Sequence, residues 1–297
     1  MIEFLEIYER AVKGPVMKEK DFEMKVFFHA LKDVVNKYEI EYDRKEAVQS
    51  DDKAADNLYK AAVEFLTRVG IFCTDTNRII QFNRNEILET VLEAPGKCVM
   101  GEGKDAGVYT TRQPDDPTIP WSIVGWGWIS PTEEMATNQI EAIVSIKGAK
   151  SINIPSLNTI KGLPVAAGSP AELYGAIRTV QIARNALMRA GRPGMPVMNW
   201  IPTSSTAVTT LAASAAQFGC RTTDGWLCGN IAEMKIDFEI MNKVAYLLNW
   251  GGNIGAESAP ILGGYCGGPA GTAVVATAYI LVGLISVSYT HLTLPTN

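Results

Sequence analysis

Residues 253–284 read NIGAESAPILGGYCGGPAGTAVVATAYILVGL. The first five, Asn253–Glu257, form a short apolar run that is typical of a buried strand, and Gly271–Leu284 is uncharged and long enough for a buried helix. Glu257 is the single charged residue of the whole stretch. A strand, a loop and a helix in succession are the repeating unit of α/β proteins, so this stretch predicts an α/β fold.

The same alternation extends upstream through the second half of the chain. Strands are predicted at Ser151–Ser156, Pro196–Trp200 and Gly225–Cys228, and helices at Pro170–Arg189, Thr203–Phe218 and Asp237–Trp250. Units roughly 40–50 residues apart with short apolar strands predict a parallel sheet. We expect a (β/α)8 TIM-type barrel that is incomplete at its C-terminus. An open doubly wound sheet is the alternative, although no GxGxxG motif follows any of these strands.

The N-terminal part of the chain is predicted to be helical. Apolar residues up to Gly70 recur at helical spacing, and the pattern then changes to a β-hairpin formed by Ile71–Cys73 and Arg78–Phe82. We therefore expect three regions. They are an N-terminal helical extension over residues 1–70, a partial barrel over residues 71–286 and a tail over residues 287–297.

Three helix starts carry capping signatures. Asn83 and Glu86 form a predicted capping box. Ser130 and Ser169 are each followed directly by proline and, three residues on, by glutamate. This order predicts serine at the N-cap, proline at the first helical position and glutamate at the third.

The C-terminal segment Val287–Asn297, VSYTHLTLPTN, does not resemble the rest of the chain. Its back-translation matches a transposon adapter used in sequencing libraries, read in frame. We expect this tail to add no fold contacts, and we expect the natural protein to continue past about Ser286 with a different sequence.

Composition and charge exclude several classes of function. The net charge is −5, the pI is near 5.3 and no basic run occurs, so we expect no nucleic-acid partner. The N-terminus lacks the basic and apolar regions of a signal peptide, and the five cysteines form no CxxC pair, so a reduced, cytoplasmic protein is expected. Thr272–Ser288 is almost long enough to span a membrane, but it lacks Lys/Arg anchors, and we interpret it as a buried helix at a subunit interface.

Histidine is scarce in this sequence. His29 lies in a predicted amphipathic helix, and His291 lies in the tail. A His-ligated metal and a Ser/His/Asp triad are therefore excluded for this stretch of chain, and no metal site is predicted. Acid–base chemistry falls to carboxylates, tyrosines or lysines.

The candidate site residues lie where predicted strands end, because the C-terminal ends of barrel strands form the active-site face. Glu257 is a carboxylate in apolar surroundings, which raise the pKa of such a group and suit a proton donor. Met198, Asn199 and Trp200 end a second strand and should line the same mouth.

The glycine-rich segment Pro260–Gly271 follows Glu257. Glycine lets the backbone approach a ligand closely, so Gly263 and Gly264 are candidate contacts, and an ordinary turn is the alternative. Tyr265 either hydrogen-bonds a substrate or packs in the core. Asp224, before a strand, is a candidate site residue whose alternative is an N-cap or a turn.

Six motifs in order give the chain a recognisable family resemblance. They are GIFCTDTNRIIQF (70–82), GEGKDA (101–106), GSPAEL (168–173), AGRPGMPV (190–197), AEMKID (232–237) and PILGGYCGG (260–268). The chain resembles the monomethylamine:corrinoid methyltransferases of methanogens and related anaerobes. The resemblance implies a (β/α)8 barrel, a homohexamer, and methyl transfer from methylamine to the cobalt of a separate corrinoid protein. No cofactor is then bound directly, since the corrinoid is carried by the partner protein.

The resemblance also assigns roles to individual residues. Met198 falls at or next to the position of the family's pyrrolysine, and it cannot form the imine adduct that pyrrolysine forms with an amine. Glu257 matches the glutamate thought to protonate that ring, and Asp224 matches a family aspartate. Trp200 could hold a methylated ammonium ion by cation–π attraction, with core packing as the alternative.

The sequence leaves more than one function open. A methyltransferase acting on a monomethylamine-type substrate is the first. Because a quaternary ammonium is already activated as a leaving group, a betaine-like substrate becomes more plausible without pyrrolysine. A non-catalytic scaffold that binds a corrinoid protein is the third.

Overall fold

The computed structural model of the chain describes residues 3–45, 51–113, 116–125, 127–199, 206–213, 215–229, 231–257 and 260–287. The helices are α1 (Phe4–Lys13), α2 (Glu19–Asp21), α3 (Phe28–Lys37), α4 (Asp52–Val69), α5 (Arg84–Glu93), α6 (Glu133–Val144), α7 (Pro170–Arg189), α8 (Ala207–Ala213), α9 (Phe238–Trp250) and α10 (Pro269–Val287). A π-helical turn, Phe22–Phe27, joins α2 to α3.

The strands are short. They are β1 (Ile71–Cys73), β2 (Arg78–Ile80), β3 (Lys97–Met100), β4 (Gly107–Thr110), β5 (Ile123–Val124), β6 (Ile129–Ser130), β7 (Ser151–Asn153), β8 (Ser156–Leu157), β9 (Thr159–Ile160), β10 (Leu163–Pro164), β11 (Val197–Asn199), β12 (Gly225–Gly229), β13 (Lys235–Ile236) and β14 (Asn253–Glu257).

The chain divides into two compact units. Unit 1 comprises Met1–Ala94, Cys228–Ala245 and Ala256–Asn297, and unit 2 comprises Pro95–Leu227 and Tyr246–Gly255. The predicted boundary at residue 70 falls inside unit 1 rather than between the units.

The main sheet has five strands in the order β14-β12-β11-β7-β5. The pairs β5–β7, β7–β11 and β11–β12 are parallel. The spatial order follows the chain order without reversal, whereas a doubly wound sheet reverses its order at a switch point. This order confirms an α/β fold with a parallel sheet and favours the barrel over the doubly wound alternative. Closure into an eight-stranded barrel stays a prediction.

Two of the predicted caps are confirmed. Asn83 accepts a hydrogen bond from the backbone N–H of Glu86 at 3.0 Å, and the Glu86 carboxylate accepts one in return at 2.8 Å. Ser169 caps α7, with Pro170 at its first position. The capping chemistry of the sequence therefore fixes the starts of α5 and α7.

The cap predicted for α6 is wrong. Thr132, not Ser130, is the N-cap, and its Oγ1 accepts the N–H of Met135 at 3.1 Å. Ser130 ends β6, and its hydroxyl donates to the side chain of Gln139. The hydroxyl of Ser130 is engaged in this tertiary contact, so the next hydroxyl along the chain takes the capping role.

The core of unit 1 is built from helices and a small sheet. Its largest fully buried side chains are aromatic, namely Phe22, Phe27, Phe65, Phe72 and Phe82. The predicted hairpin of β1 and β2 is confirmed as an antiparallel pair. β13, which the sequence did not predict, joins β1 in parallel and aligns Lys235 with Phe72.

Helix α10 is the one helix of the described residues that is long and apolar enough to cross a membrane. Half of its most apolar 18-residue window is buried inside the protein. The helix packs on α3, α4 and α5, with Val274, Val275 and Ala278 fully buried. These contacts are those of a core helix, whose apolar face is covered by the other helices of unit 1.

Candidate functional site

The candidate site lies where strands of the main sheet end. β7 ends at Asn153, β11 at Asn199 and β14 at Glu257. In α/β proteins with parallel strands, ligands bind beyond the carboxyl ends of the strands. Within unit 2 the fold therefore brings Asn153 and Asn199 to one edge of the sheet.

Side-chain contacts establish the direction of β14. Asn253, its first residue, donates through Nδ2 to the carbonyl oxygen of Asp224, the residue just before β12, at 3.2 Å. Two residues further on, a Cβ placed on Gly255 would lie 2.9 Å from Cδ2 of Leu227 in β12. The starts of the two strands are therefore adjacent and their later residues remain adjacent, so β14 and β12 run in parallel.

Met198 lies beside Asn153 and Gly225 in the sheet. The register pairs it with Asn153 on β7 and with Gly225 on β12. Its sulfur lies 2.5 Å from the point where a Cβ on Gly225 would stand. Met198 is 8% exposed, so its side chain packs along the sheet over the glycine.

Asn153 has an unusual environment. It is 1% exposed, and neither Nδ2 nor Oδ1 of its carboxamide has a hydrogen-bond partner among the described residues. A buried polar group without a partner costs about 1–3 kcal/mol, and nearly all such groups in folded proteins are paired. The hydroxyl of Ser156, fully buried three residues later, has no partner among them either.

Sequence reasoning missed Asn153. It lies inside the predicted strand Ser151–Ser156, whose other residues are apolar or small, and the pattern was used only to place the strand. The available signal was the amide itself, because a polar side chain inside a buried strand requires a hydrogen-bond partner.

Asp224 is an anchor of unit 2. It is fully buried, and one carboxylate oxygen accepts the N–H of Val197 at 2.8 Å. The other accepts the N–H of Arg221 at 2.8 Å and also bonds the guanidinium of Arg184. These bonds join the start of β11 to the start of β12, at the edge opposite Asn153, so the geometry matches the turn-residue alternative.

The remaining strand-end residues are described only in part. The backbones of Asn199 and Glu257 close β11 and β14, while Trp200 lies outside the described residues. Their predicted roles in binding and catalysis stay predictions.

Gly263, Gly264 and Tyr265 lie in unit 1, as part of a tight turn before α10. Gly263 has a φ of 79°, and its N–H donates to the carbonyl of Gly267 at 2.8 Å. The left-handed conformation explains glycine at this position. The Tyr265 ring packs edge-on against Phe27 at 5.6 Å, and burial raises the pKa of its hydroxyl to about 12. Tyr265 is therefore a neutral hydrogen-bonding group at ordinary pH.

No group of three His, Cys, Asp or Glu side chains within the described ranges could hold a metal ion. Within unit 2, the candidate site at the sheet edge contains amide and thioether residues. Such a site can bind and orient a small polar molecule.

The strand order places the chain in the class of α/β proteins with a parallel sheet. In this class, small ligands bind beyond the ends of the strands. Solved structures share this fold. One is described as the crystal structure of the Methanosarcina barkeri monomethylamine methyltransferase (MtmB), and another as a hydroxylamine MtmB complex. Each is 24% identical, has a TM-score of 0.84, and is matched over 98% of this chain and 70% of the other.

The profile of the family described as monomethylamine methyltransferase MtmB matches residues 2–295, and the chain belongs to this family. The MtmB2 protein of Methanosarcina barkeri is 30% identical over 295 residues, which cover 98% of this chain and 63% of that protein. The MtmB3 protein of M. barkeri strain Fusaro is 29% identical, over 91% of this chain and 58% of its own length. The chain thus spans about three-fifths of the length of these curated relatives.

The profile match extends into Val287–Asn297, the segment that we expect to be adapter-derived. Residues 288–297 lie outside the described part of the chain, so the structure does not test that expectation.

Proposed function

We propose that this chain belongs to a methyltransferase that moves a methyl group from a methylated amine to the cobalt of a separate corrinoid protein. Membership of the monomethylamine methyltransferase family carries the proposal. The amine and the corrinoid cobalt are both substrates here. The enzyme itself then needs no resident metal, and its residues bind, orient and activate the amine.

The reaction breaks a C–N bond and forms a cobalt–carbon bond. The bonding pair of the C–N bond leaves with nitrogen, and the reduced cobalt supplies the pair for the new bond. A neutral amine is a poor leaving group, because nitrogen would leave as an amide anion. Protonation of nitrogen removes that barrier, so a proton donor beside the amine is the central requirement.

Glu257 is the residue that we assign to this proton transfer. It ends β14 at the carboxyl edge of the sheet, in a stretch with no other charged residue. A carboxylic acid in apolar surroundings keeps its proton at higher pH than an exposed one. General acid catalysis of this kind contributes about 10²–10⁴-fold to a rate.

A quaternary amine is the second candidate substrate class, and Met198 favours it. Met198 falls at or next to the family's pyrrolysine position, and its thioether offers no electrophile to an amine. Its side chain is packed over Gly225 and buried. A quaternary substrate needs neither an adduct nor a proton, because its nitrogen leaves as a neutral amine.

Partners and assembly follow from the same proposal. The methyl acceptor requires a cognate corrinoid protein, and we propose a homo-oligomer, a hexamer as in the family, located in the cytoplasm. A scaffold that binds the corrinoid protein without catalysis is the remaining alternative.

The decisive test is cobalt methylation, followed by the absorbance change of the corrinoid protein. The assay compares the chain itself with a form extended at its C-terminus by the matching region of M. barkeri MtmB2. Monomethylamine, tetramethylammonium and glycine betaine are the substrates. We expect turnover by the extended form only when the corrinoid protein is present.

Glu257→Gln in the extended form separates the two substrate classes. Monomethylamine turnover should fall at least tenfold, while turnover of a quaternary substrate should change less than threefold. Glu134→Gln, at an exposed position on α6, is the matched control and should change neither. Binding of the corrinoid protein without methylation of cobalt by any substrate would establish the scaffold alternative.

A further inference from the structure

We propose that Asn153 is a substrate contact, whose carboxamide oxygen accepts an N–H of the methylated amine. This inference rests on the proposed function and deepens it. It assigns a binding residue and restricts the substrate to amines that keep at least one N–H when protonated.

The proposal starts from the carboxamide of Asn153. Both polar atoms of Asn153 are buried and lack a partner among the described residues. A protein keeps such a group when something outside the polypeptide completes its hydrogen bonds. A bound ligand or an ordered water molecule can do so.

Asn153 lies at the edge of the sheet where ligands bind in such folds. Asn153 is the last residue of β7, in the interior of the five-stranded sheet, between β5 and β11. The carboxyl ends of these strands form the edge at which such folds bind ligands. A residue that contacts the substrate has to lie at that edge, whereas an amide with a purely structural role can lie anywhere in the sheet.

Met198 is the neighbour of Asn153 on the adjacent strand. The register aligns Asn153 with Met198, and the two side chains lie on the same face of the sheet, because residues that pair across strands point to the same side. Met198 stands where the family places the residue that reacts with the amine. An oxygen acceptor on the adjacent strand is therefore in position to orient the nitrogen.

A protonated methylamine and a quaternary ammonium ion differ in whether the nitrogen carries an N–H. Oδ1 accepts a hydrogen bond and suits the N–H of a methylammonium ion. A quaternary ammonium has no N–H, so it gains only weak C–H contacts with this oxygen. Asn153 thus favours the first of the two candidate substrate classes, against the preference inferred from Met198.

The test uses the C-terminally extended form with Asn153→Leu and Asn153→Asp. Methylammonium and tetramethylammonium chloride are the probes, and isothermal titration calorimetry measures their affinity. Asn153→Leu should weaken methylammonium binding at least tenfold, which corresponds to about 1.4 kcal/mol, and should change tetramethylammonium binding less than twofold. Asn153→Asp keeps an acceptor oxygen and should retain methylammonium binding.

Thermal unfolding provides a readout that needs no ligand. Asn153→Leu removes a buried amide without a partner, so the Tm should stay unchanged or rise. Thr179→Val is the matched control, because the Thr179 hydroxyl is equally buried but donates to the carbonyl of Gly175 at 2.7 Å. Its loss should lower the Tm.

The outcomes separate this inference from the proposed function. A Tm drop in Asn153→Leu as large as that of Thr179→Val means that the amide has protein partners, and it overturns the inference. So does equal weakening of both probes, or no weakening of methylammonium. If the wild-type extended form binds neither probe, the proposed function and the inference both fail, whereas wild-type binding that Asn153→Leu leaves unchanged overturns the inference alone.

Discussion

The side chain of Met198 occupies the space that a β-carbon on Gly225 would take. The two residues are register partners on β11 and β12, and the methionine Cε lies 2.6 Å from that position. The absence of a side chain at residue 225 thus permits the methionine to lie along the sheet. Their relationship links Met198 to a glycine that sequence reasoning did not single out.

A substitution at Gly225 should displace Met198. We expect Gly225→Ala to lower the free energy of unfolding by about 1–3 kcal/mol, the usual range for overpacking. Met198→Ala in the same protein should recover part of that loss, because it empties the space that the new methyl group at residue 225 needs. Urea denaturation of the wild type, both single variants and the double variant gives the coupling energy, and simple additivity would contradict the contact.

Asp224 should behave as a structural residue. Its buried carboxylate holds two backbone N–H groups and Arg184. Asp224→Asn leaves the guanidinium without its counter-charge and should cost about 3–5 kcal/mol of stability. Asp116→Asn, at a position whose carboxylate accepts the N–H of the nearby Thr118, is the control and should change stability by less than about 0.5 kcal/mol. Unchanged stability with lost activity would restore the catalytic role of Asp224.

Lys235 should support unit 1 up to high pH. Burial alone would lower the pKa of its ammonium, but hydrogen bonds to Glu19, Glu23 and Glu233 outweigh burial and raise it. A raised lysine pKa stabilises the fold fully below the unfolded value near 10.4, and this stability is lost as the pH rises through the folded value. Lys235→Met should cost about 1–2 kcal/mol at pH 7, since the carboxylates are partly solvated, and the cost should shrink above about pH 10.5. A pH series of urea unfolding curves measures it.

The buried thiols should resist alkylation. Burial raises the pKa of Cys220 to about 12, with Asp224 adding to the effect, and raises that of Cys228 to about 11. Both thiols are therefore protonated and unreactive at pH 8. Iodoacetamide treatment followed by mass spectrometry should leave both unmodified in the folded protein and label both in urea.

The same shifts predict a loss of stability in alkaline solution. A thiol whose pKa is higher in the folded state stabilises the fold below its unfolded pKa near 9, and that contribution is lost as the pH rises towards 11–12. Replacing Cys228 by serine or alanine should flatten the decline above pH 9. An identical decline in the variant would show that this thiol does not contribute.

Much of the fold could be predicted from local pattern. β11, β12 and β14 agree with the predicted strands within two residues, because each is an apolar run bounded by turn residues. β13 could not be predicted, since its two residues owe their conformation to pairing with β1, far away in the sequence. The cap predicted for α6 was wrong because Ser130 and Thr132 are chemically similar. The contact of Ser130 with Gln139, which leaves Thr132 as the N-cap, depends on the tertiary structure.

The candidate site was predictable only by position along strands. That rule selected Met198 in β11 and Glu257 in β14, and their roles stay predictions. Tyr265 and its glycines follow Glu257 in the sequence, and the structure places them in the turn before α10. The missing partners of Asn153 are a property of three-dimensional packing, which no sequence pattern records.

Unit 1 is assembled from three segments of the chain, and this has a consequence for protein synthesis. Helix α4 is made early but packs on α10, the last helix described. At roughly 5–20 residues per second, the ribosome needs about 10–40 s to make the roughly 190 residues between the end of the first segment and the end of α10. During that interval the part of α4 that packs on α10 lacks this contact. We therefore expect the nascent chain to need chaperones, or transient contacts of its own, to stay soluble until α10 leaves the ribosome.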